Sequence, residues 1–257
     1  MLGASWEEIK EFLDFKVLQY NAPWFIENDP IVLPHRYRNK EDIEIAAFLV
    51  ATIAWGNRKV IIQKGGQMLD LLGESPYEFV ISHKERDLES LQNFVHRTFK
   101  GEDLIYFVKA LRNIYEKYGG LECIFAKYAQ PYTLQPAIHA FRNIFFELPH
   151  PSRTQKHVAD PLKGSSAKRI NMFLRWMVRI DKQGVDFGIW KTLHPGQLSC
   201  PLDIHSGNVA RKLGLLKRKQ NDALAVQELD AALRILDPVD PVRYDFALFG
   251  LGVFEKF

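Results

Sequence analysis

Two residues stand where a helical protein can act on an anion: Lys168 and Asp203. Lys168 follows the turn Lys163-Gly164-Ser165-Ser166-Ala167, and Asp203 follows Pro201-Leu202 and precedes Ile204-His205-Ser206-Gly207. Both read as helix starts, where backbone N–H groups lack intrahelical partners and the helix dipole favours negative charge. A lysine and an aspartate so placed point to chemistry on something phosphate-bearing. Each also has a plain stabilising role: an N-cap aspartate contributes about 1 kcal/mol whatever else it does, and a lysine in a first turn is ordinarily solvated. His205 has no His, Cys or carboxylate beside it at metal spacing, so it reads as a packing or supporting residue, and no metal site is expected.

The elements that must position these residues read as helices. Ser5 before Trp6-Glu7-Glu8 is an N-cap with acidic first-turn residues, predicting a helix to about Tyr20. Pro23, Pro30 and Pro34 then predict a long connection over residues 21–39. Ile45, Phe48, Leu49, Thr52 and Ile53 follow helical spacing up to the elbow Trp55-Gly56-Asn57, after which Ile61, Met68, Leu69 and Leu72 share one face. Leu104 to Tyr115 and Leu134 to Phe145 repeat the pattern, whereas residues 148–163, with Pro149, Pro151 and Pro161, form a second irregular connection. Beyond it Ile170, Phe173, Leu174, Met177 and Val178 make an apolar stripe, with Arg169, Arg175 and Arg179 on other faces of an amphipathic, basic helix. Asp203 caps a helix closed by Gly214, and two more helices take in Ala225 to Leu236 and Tyr244 to Leu251. No stretch alternates with period two long enough to be a strand. The expected fold class is all-α.

Composition bounds the answer without deciding it. The 257 residues, 47% hydrophobic and 25% charged, can bury a sizeable core. A net charge of +3 is mild, so a nucleic-acid surface would be a local patch. Two distant cysteines, Cys123 and Cys200, support neither a disulfide framework nor a four-cysteine iron–sulfur cluster. With no signal-peptide pattern and no membrane-length apolar run, a reduced, cytoplasmic protein without membrane contact is expected.

Four segments, in this order, resemble the helix–hairpin–helix DNA glycosylase superfamily, which includes endonuclease III and the 8-oxoguanine glycosylases. Phe48-Leu49-Val50-Ala51-Thr52-Ile53-Ala54-Trp55-Gly56-Asn57-Arg58 is similar to its first core helix and DNA-wedging elbow. Gly164-Ser165-Ser166-Ala167-Lys168-Arg169-Ile170-Asn171 resembles the second half of the hairpin motif with its lysine. Pro201-Leu202-Asp203-Ile204-His205 and the Val209 to Leu215 run resemble the aspartate-bearing segment, and Asp245-Phe246-Ala247-Leu248-Phe249-Gly250 the final core helix. The long connection between Lys168 and Asp203 is nearest in style to the archaeal 8-oxoguanine glycosylases, and the nearest relatives are expected in a bacterial family of unknown function.

The resemblance implies a two-lobed helical fold with a hairpin-type helix pair and a cleft between lobes, residues 41–150 forming one lobe and residues 1–40 and 151–257 the other. It implies a DNA base-excision glycosylase, with AP-lyase activity, that removes a damaged base such as an oxidised purine from duplex DNA as a monomer, without a cofactor or iron–sulfur cluster. Lys168 would attack the sugar and Asp203 would assist proton removal. Trp55, Asn57 and Arg58 at the elbow, Gly164, Ser165 and Ser166 in the turn, and Arg169, Arg211 and Lys212 would contact the nucleic acid, and Trp190 or Phe187 could stack on an extruded base. The hairpin's apolar-Pro-Gly-x-Gly pattern is reduced here to Pro161-Leu162-Lys163-Gly164-Ser165, and the elbow carries tryptophan and asparagine where many members have a glutamine. The alternatives are a non-catalytic module binding structured DNA or RNA, and a protein-interacting helical scaffold.

Overall fold

The computed structural model describes residues 5–257; residues 1–4, part of the expected second lobe, lie outside the described residues. The chain is all-α. Twelve α-helices occur among the described residues: α1 Trp6–Tyr20, α2 Pro23–Glu27, α3 Lys40–Thr52, α4 Arg58–Asp70, α5 Pro76–Ser82, α6 Gly101–Tyr118, α7 Leu121–Lys127, α8 Gln135–Phe145, α9 Lys168–Val178, α10 Ile204–Lys212, α11 Ala223–Leu236 and α12 Tyr244–Gly250. A two-residue hairpin, β1 Val95–His96 antiparallel to β2 Phe99–Lys100, is the extended pair.

Local chemistry sets the ends. Ser5 Oγ accepts from Glu8 N–H while the Glu8 carboxylate accepts from Ser5 N–H, a reciprocal cap for α1. α6 stops at Gly119, whose φ of +76° suits a glycine C-cap. The 21–39 connection contains more structure than its prolines predict: Pro23 opens α2, and Pro30 and Pro34 open 3-10 turns. A first-turn proline loses no helical hydrogen bond, so these prolines start short helices instead of excluding them.

The chain folds as two compact units, one of residues 1–25, 129–136 and 160–257, the other of residues 26–128 and 137–159. In the first, Leu13 and Val17 of α1 pack with Leu229 and Leu233 of α11 and with Tyr244 and Leu248 of α12. Gly250 makes the α1–α12 approach possible, because a Cβ there would stand 2.3 Å from the Tyr20 ring. In the second, Phe48 of α3 meets the rings of Phe107, Phe141 and Phe145 at 5.7, 5.4 and 5.5 Å. That aromatic cluster joins α3, α6 and α8.

α9 corrects one expectation. Its apolar stripe is buried as predicted, but the helix is not amphipathic in the expected way: Arg175 and Arg179, on its other faces, are 4% and 3% exposed. The physical reason is pairing. Arg175 Nε donates to Asp186 at 3.2 Å and its Nη1 to Asp245, while Arg179 reaches Asp181, Asp186 and Asp240. Buried guanidinium groups are tolerable only with such partners, and here carboxylates meet both arginines at the end of a helix buried from Ile170 to Val178.

Candidate functional site

The turn before α9 is held by its own backbone. Pro161–Lys163 is a 3-10 turn, Gly164 follows with φ +91°, and α9 is preceded by 3-10 turns where the resemblance calls for an α-helix. Gly164 N–H donates to Pro161 O, Ser165 N–H to Asp160 O, and Ala167 N–H to Ser165 Oγ. Gly164 O in turn accepts from Ala223 N–H. These turn amides are therefore engaged within the protein. Asn171, the third residue after the lysine, donates from Nδ2 to Ser166 O and accepts at Oδ1 from Gln135, which also donates to Ser199 Oγ. The turn is thus tied to the helix it introduces.

Ala167, the residue before the lysine, has φ +48° although it carries a Cβ, and it provides no side-chain cap. A left-handed alanine costs about 1–2 kcal/mol. Strain of this kind is retained where the surroundings over-determine the backbone, as they do at functional sites.

Lys168 opens α9 half-buried, and its Nζ has one hydrogen-bond contact among the described residues, the Met172 sulfur at 3.9 Å. Asp203 is the N-cap of α10: its Oδ1 accepts from His205 N–H at 2.8 Å, Ser206 N–H at 3.0 Å and Ser206 Oγ at 3.2 Å. All three donors converge on one oxygen, so Oδ2 keeps its lone pairs. Asp245 of α12 connects the two. Burial pushes its carboxyl up to about 6, the Asp203 charge adds to the rise, and Arg175 and Lys168 oppose it. The carboxyl also accepts from the buried Cys200 thiol at 3.7 Å. The Asp245 carboxyl thus feels the charges of both Asp203 and Lys168. Asp230, lifted by burial to about 6, accepts from Cys200 N–H on its far side.

The other expected contact residues fall in different surroundings. Arg169 is half-buried, and desolvation lowers its guanidinium to about 10. Arg211 donates to Arg218 O at 2.8 Å and Asn221 Oδ1 at 2.6 Å, holding the loop after α10. Lys212 is exposed with its ammonium 5.7 Å from the Phe257 ring centroid. Trp190 is buried against Phe173, which removes it as a stacking surface; Phe187 is half-buried. His205 is exposed and lies edge-on to Phe249.

In the second unit Trp55 is half-buried and packs on His96 at 5.1 Å and His157 at 6.1 Å, with Gly56 and Asn57 exposed at the elbow tip. Asn57 Oδ1 accepts from Val60 N–H and caps α4, which Arg58 opens. The elbow's outermost feature is consequently backbone and asparagine, and the indole is packed behind it. Sequence reasoning passed over Asp245 as a charged site residue, although it stands in a motif quoted above, and it passed over Arg97, which no local pattern marks.

Among the described residues no group of three or more His, Cys, Asp or Glu could hold a metal ion, and no helix is long and apolar enough to cross a membrane. Comparison with curated proteins and with solved structures yields no match. The sequence does match, over residues 29–254, the model of a family described as a protein of unknown function, DUF2400. Because that match spans most of the 257 residues, the chain belongs to the DUF2400 family.

Proposed function

We propose that this protein is a DNA base-excision glycosylase and AP lyase acting through Lys168, with its two units serving as the lobes of a glycosylase-like fold. One observation carries it: among the described residues a half-buried lysine with no carboxylate in ion-pair reach and an aspartate with one unbonded oxygen both bear on the titration of the buried Asp245 carboxyl. A lysine serving stability alone would be paired or fully solvated.

In this chemistry the base is extruded from the stack, at a cost of a few kcal/mol. An amine attacks only when neutral, and an ordinary lysine titrates near pKa ~10.4, so a base must take its proton. Asp203 lies outside ion-pair reach of Lys168, so its Oδ2 takes that proton through a bridging water and then faces the positive charge that develops on the sugar. The Lys168 Nζ–C1′ bond forms as the C1′–base bond breaks, the base leaving with the bonding pair and a proton. Ring opening gives the Schiff base, from which elimination expels the 3′ phosphate.

Duplexes carrying 8-oxoguanine, uracil, an oxidised pyrimidine or an abasic site, incubated with the protein and borohydride, test this. A covalent protein–DNA adduct that disappears in Lys168→Gln is expected. Base release without an adduct, retained in Lys168→Gln and lost in Asp203→Asn, would replace amine attack by water chemistry. Neither release nor adduct on any lesion would reject the glycosylase and leave a binding module.

A further inference from the structure

In the second unit the elbow between α3 and α4 meets the tip of the β1–β2 hairpin. Gly56 has φ +106°, and a Cβ there would stand 2.5 Å from Arg97 Nη1, so the Arg97 guanidinium lies on bare backbone. Arg97 is exposed and itself holds φ +53°. A left-handed arginine costs about 1–2 kcal/mol, yet the hairpin keeps it there and aims it across the elbow. Lys64 of α4 stands near: after burial, the larger cause, Arg97 and Lys64 both push the His96 imidazole below its usual range. Arg58 and Lys59 begin α4 directly after the elbow. Arg97 and Lys64 thus make this corner cationic, with Arg58 and Lys59 at the start of the adjoining helix.

Beside them α4 and the chain leading into β1 enclose a groove of about 400 Å³, with Lys64, Gln67, Asn93, Phe94 and Val95 in its lining. Its volume falls in the range of small-molecule sites, roughly 300–1,000 Å³. Asp70 is the carboxylate among the lining residues, and Arg36 pairs with it at 3.4 Å. Gln67 and Asn93 are exposed amides, the groups that pair with the donor and acceptor edges of bases. Lys64 belongs both to the groove and to the cationic corner, so phosphate and base would be met side by side.

Resting on the DNA-directed function proposed above, we infer that this groove holds one unpaired nucleotide of a DNA strand, its base against Gln67 and Asn93 and its flanking phosphates on Lys64 and Arg97. A fully paired duplex satisfies the cations but leaves the amides and the apolar wall without a partner. An unpaired nucleotide satisfies both.

Fluorescence anisotropy of the full chain with undamaged duplexes tests the inference, one duplex fully paired and one carrying a single unpaired nucleotide. The bulged duplex is expected to bind more tightly. Asn93→Trp, which fills the groove, lowers its affinity about tenfold and leaves the paired duplex unchanged. Lys64→Ala reduces the log–log salt slope by about one. Gln67→Leu serves as the milder second groove variant, with melting curves confirming that each variant folds. Equal affinity for the two duplexes, binding insensitive to both groove variants, or no DNA binding at low salt would overturn the groove site. Failure of the glycosylase is distinguishable: a bulge preference lost in Asn93→Trp with no borohydride adduct on any lesion retains the groove and removes the lyase. An adduct lost in Lys168→Gln but undiminished in Asn93→Trp, without bulge preference, does the reverse.

Discussion

The two ends of α9 treat positive charge in opposite ways. At the C-terminal end Arg175 and Arg179 are buried and share Asp181, Asp186, Asp240 and Asp245, with ring contacts from the Arg175 and Arg179 guanidinium groups to Phe246 at 4.3 and 5.3 Å. At the N-terminal end Lys168 has a thioether sulfur as its hydrogen-bond contact and follows a left-handed alanine. A cation that holds a fold together is surrounded by acceptors. One kept without them, at the dipole's unfavourable end, costs stability and leaves its nitrogen accessible to a substrate. The helix is thus neutralised by carboxylates at its C-terminal end and carries, at its N-terminal end, a lysine contacting only a thioether sulfur among the described residues.

The sharpest way to break this contrast is at the buried end. Asp186 is fully buried and bridges Arg175 at 3.2 Å and Arg179 at 3.1 Å. Removing one partner from a buried ionic network leaves uncompensated charge, so Asp186→Ala is expected to lower unfolding free energy by about 3–5 kcal/mol. Urea unfolding at neutral pH measures it. A loss under about 1 kcal/mol would mean that the network is hydrated and that α9 is not anchored by it.

Asp245 belongs to both ends, and its titration sharpens the comparison. Its carboxyl is lifted by burial to about 6, with Asp203 adding to the rise and Arg175 and Lys168 opposing it, and with Cys200 donating to it. A folded pKa above the unfolded value of ~3.9 means that the native state holds the proton more tightly. The stability this contributes is present below about pH 4 and is lost as pH rises through about 6. Asp245→Asn should therefore flatten the stability profile between pH 4 and 7, by an amount on the order of 2–3 kcal/mol. Asp230, also lifted to about 6, keeps a residual slope of the same sign in that variant. An unchanged profile would place the proton elsewhere.

The sequence made the long helices and the Asp203 cap readable because their signals are local. Ser5 and Glu8 lie three residues apart, Gly119 marks its own turn, and Asp203 stands just before the helix it caps. α5 and α7, of seven residues each, are too short for a periodicity to develop. The charge pairing of α9 was invisible for another reason: Arg175 finds Asp245 70 positions away and Arg179 finds Asp240 61 away, so the helix's own pattern suggested an amphipathic, basic helix. Arg97 was hidden because a left-handed conformation at a residue with a side chain leaves no compositional mark. For the candidate site, residue types pointed to Lys168 and Asp203, whereas Asp245, whose titration feels both charges, comes from a third segment far along the chain.

The smallest effect on stability is expected where the effect on chemistry is largest. Lys168→Gln shortens the side chain by one atom, breaks no ion pair and removes a charge from the unfavourable end of the dipole, so unfolding free energy should change by less than about 0.5 kcal/mol, with a gain as the favoured sign. Lys168 opposes the rise of Asp245, so its removal should move the Asp245 titration further upward, read as a shift of the pH 4–7 stability profile toward higher pH. Measuring both on one variant separates a reactive tip from a structural one. A destabilisation of about 2 kcal/mol or more would show that Lys168 supports the fold like Arg175 and Arg179, and the difference between the two ends of α9 would then be one of exposure alone.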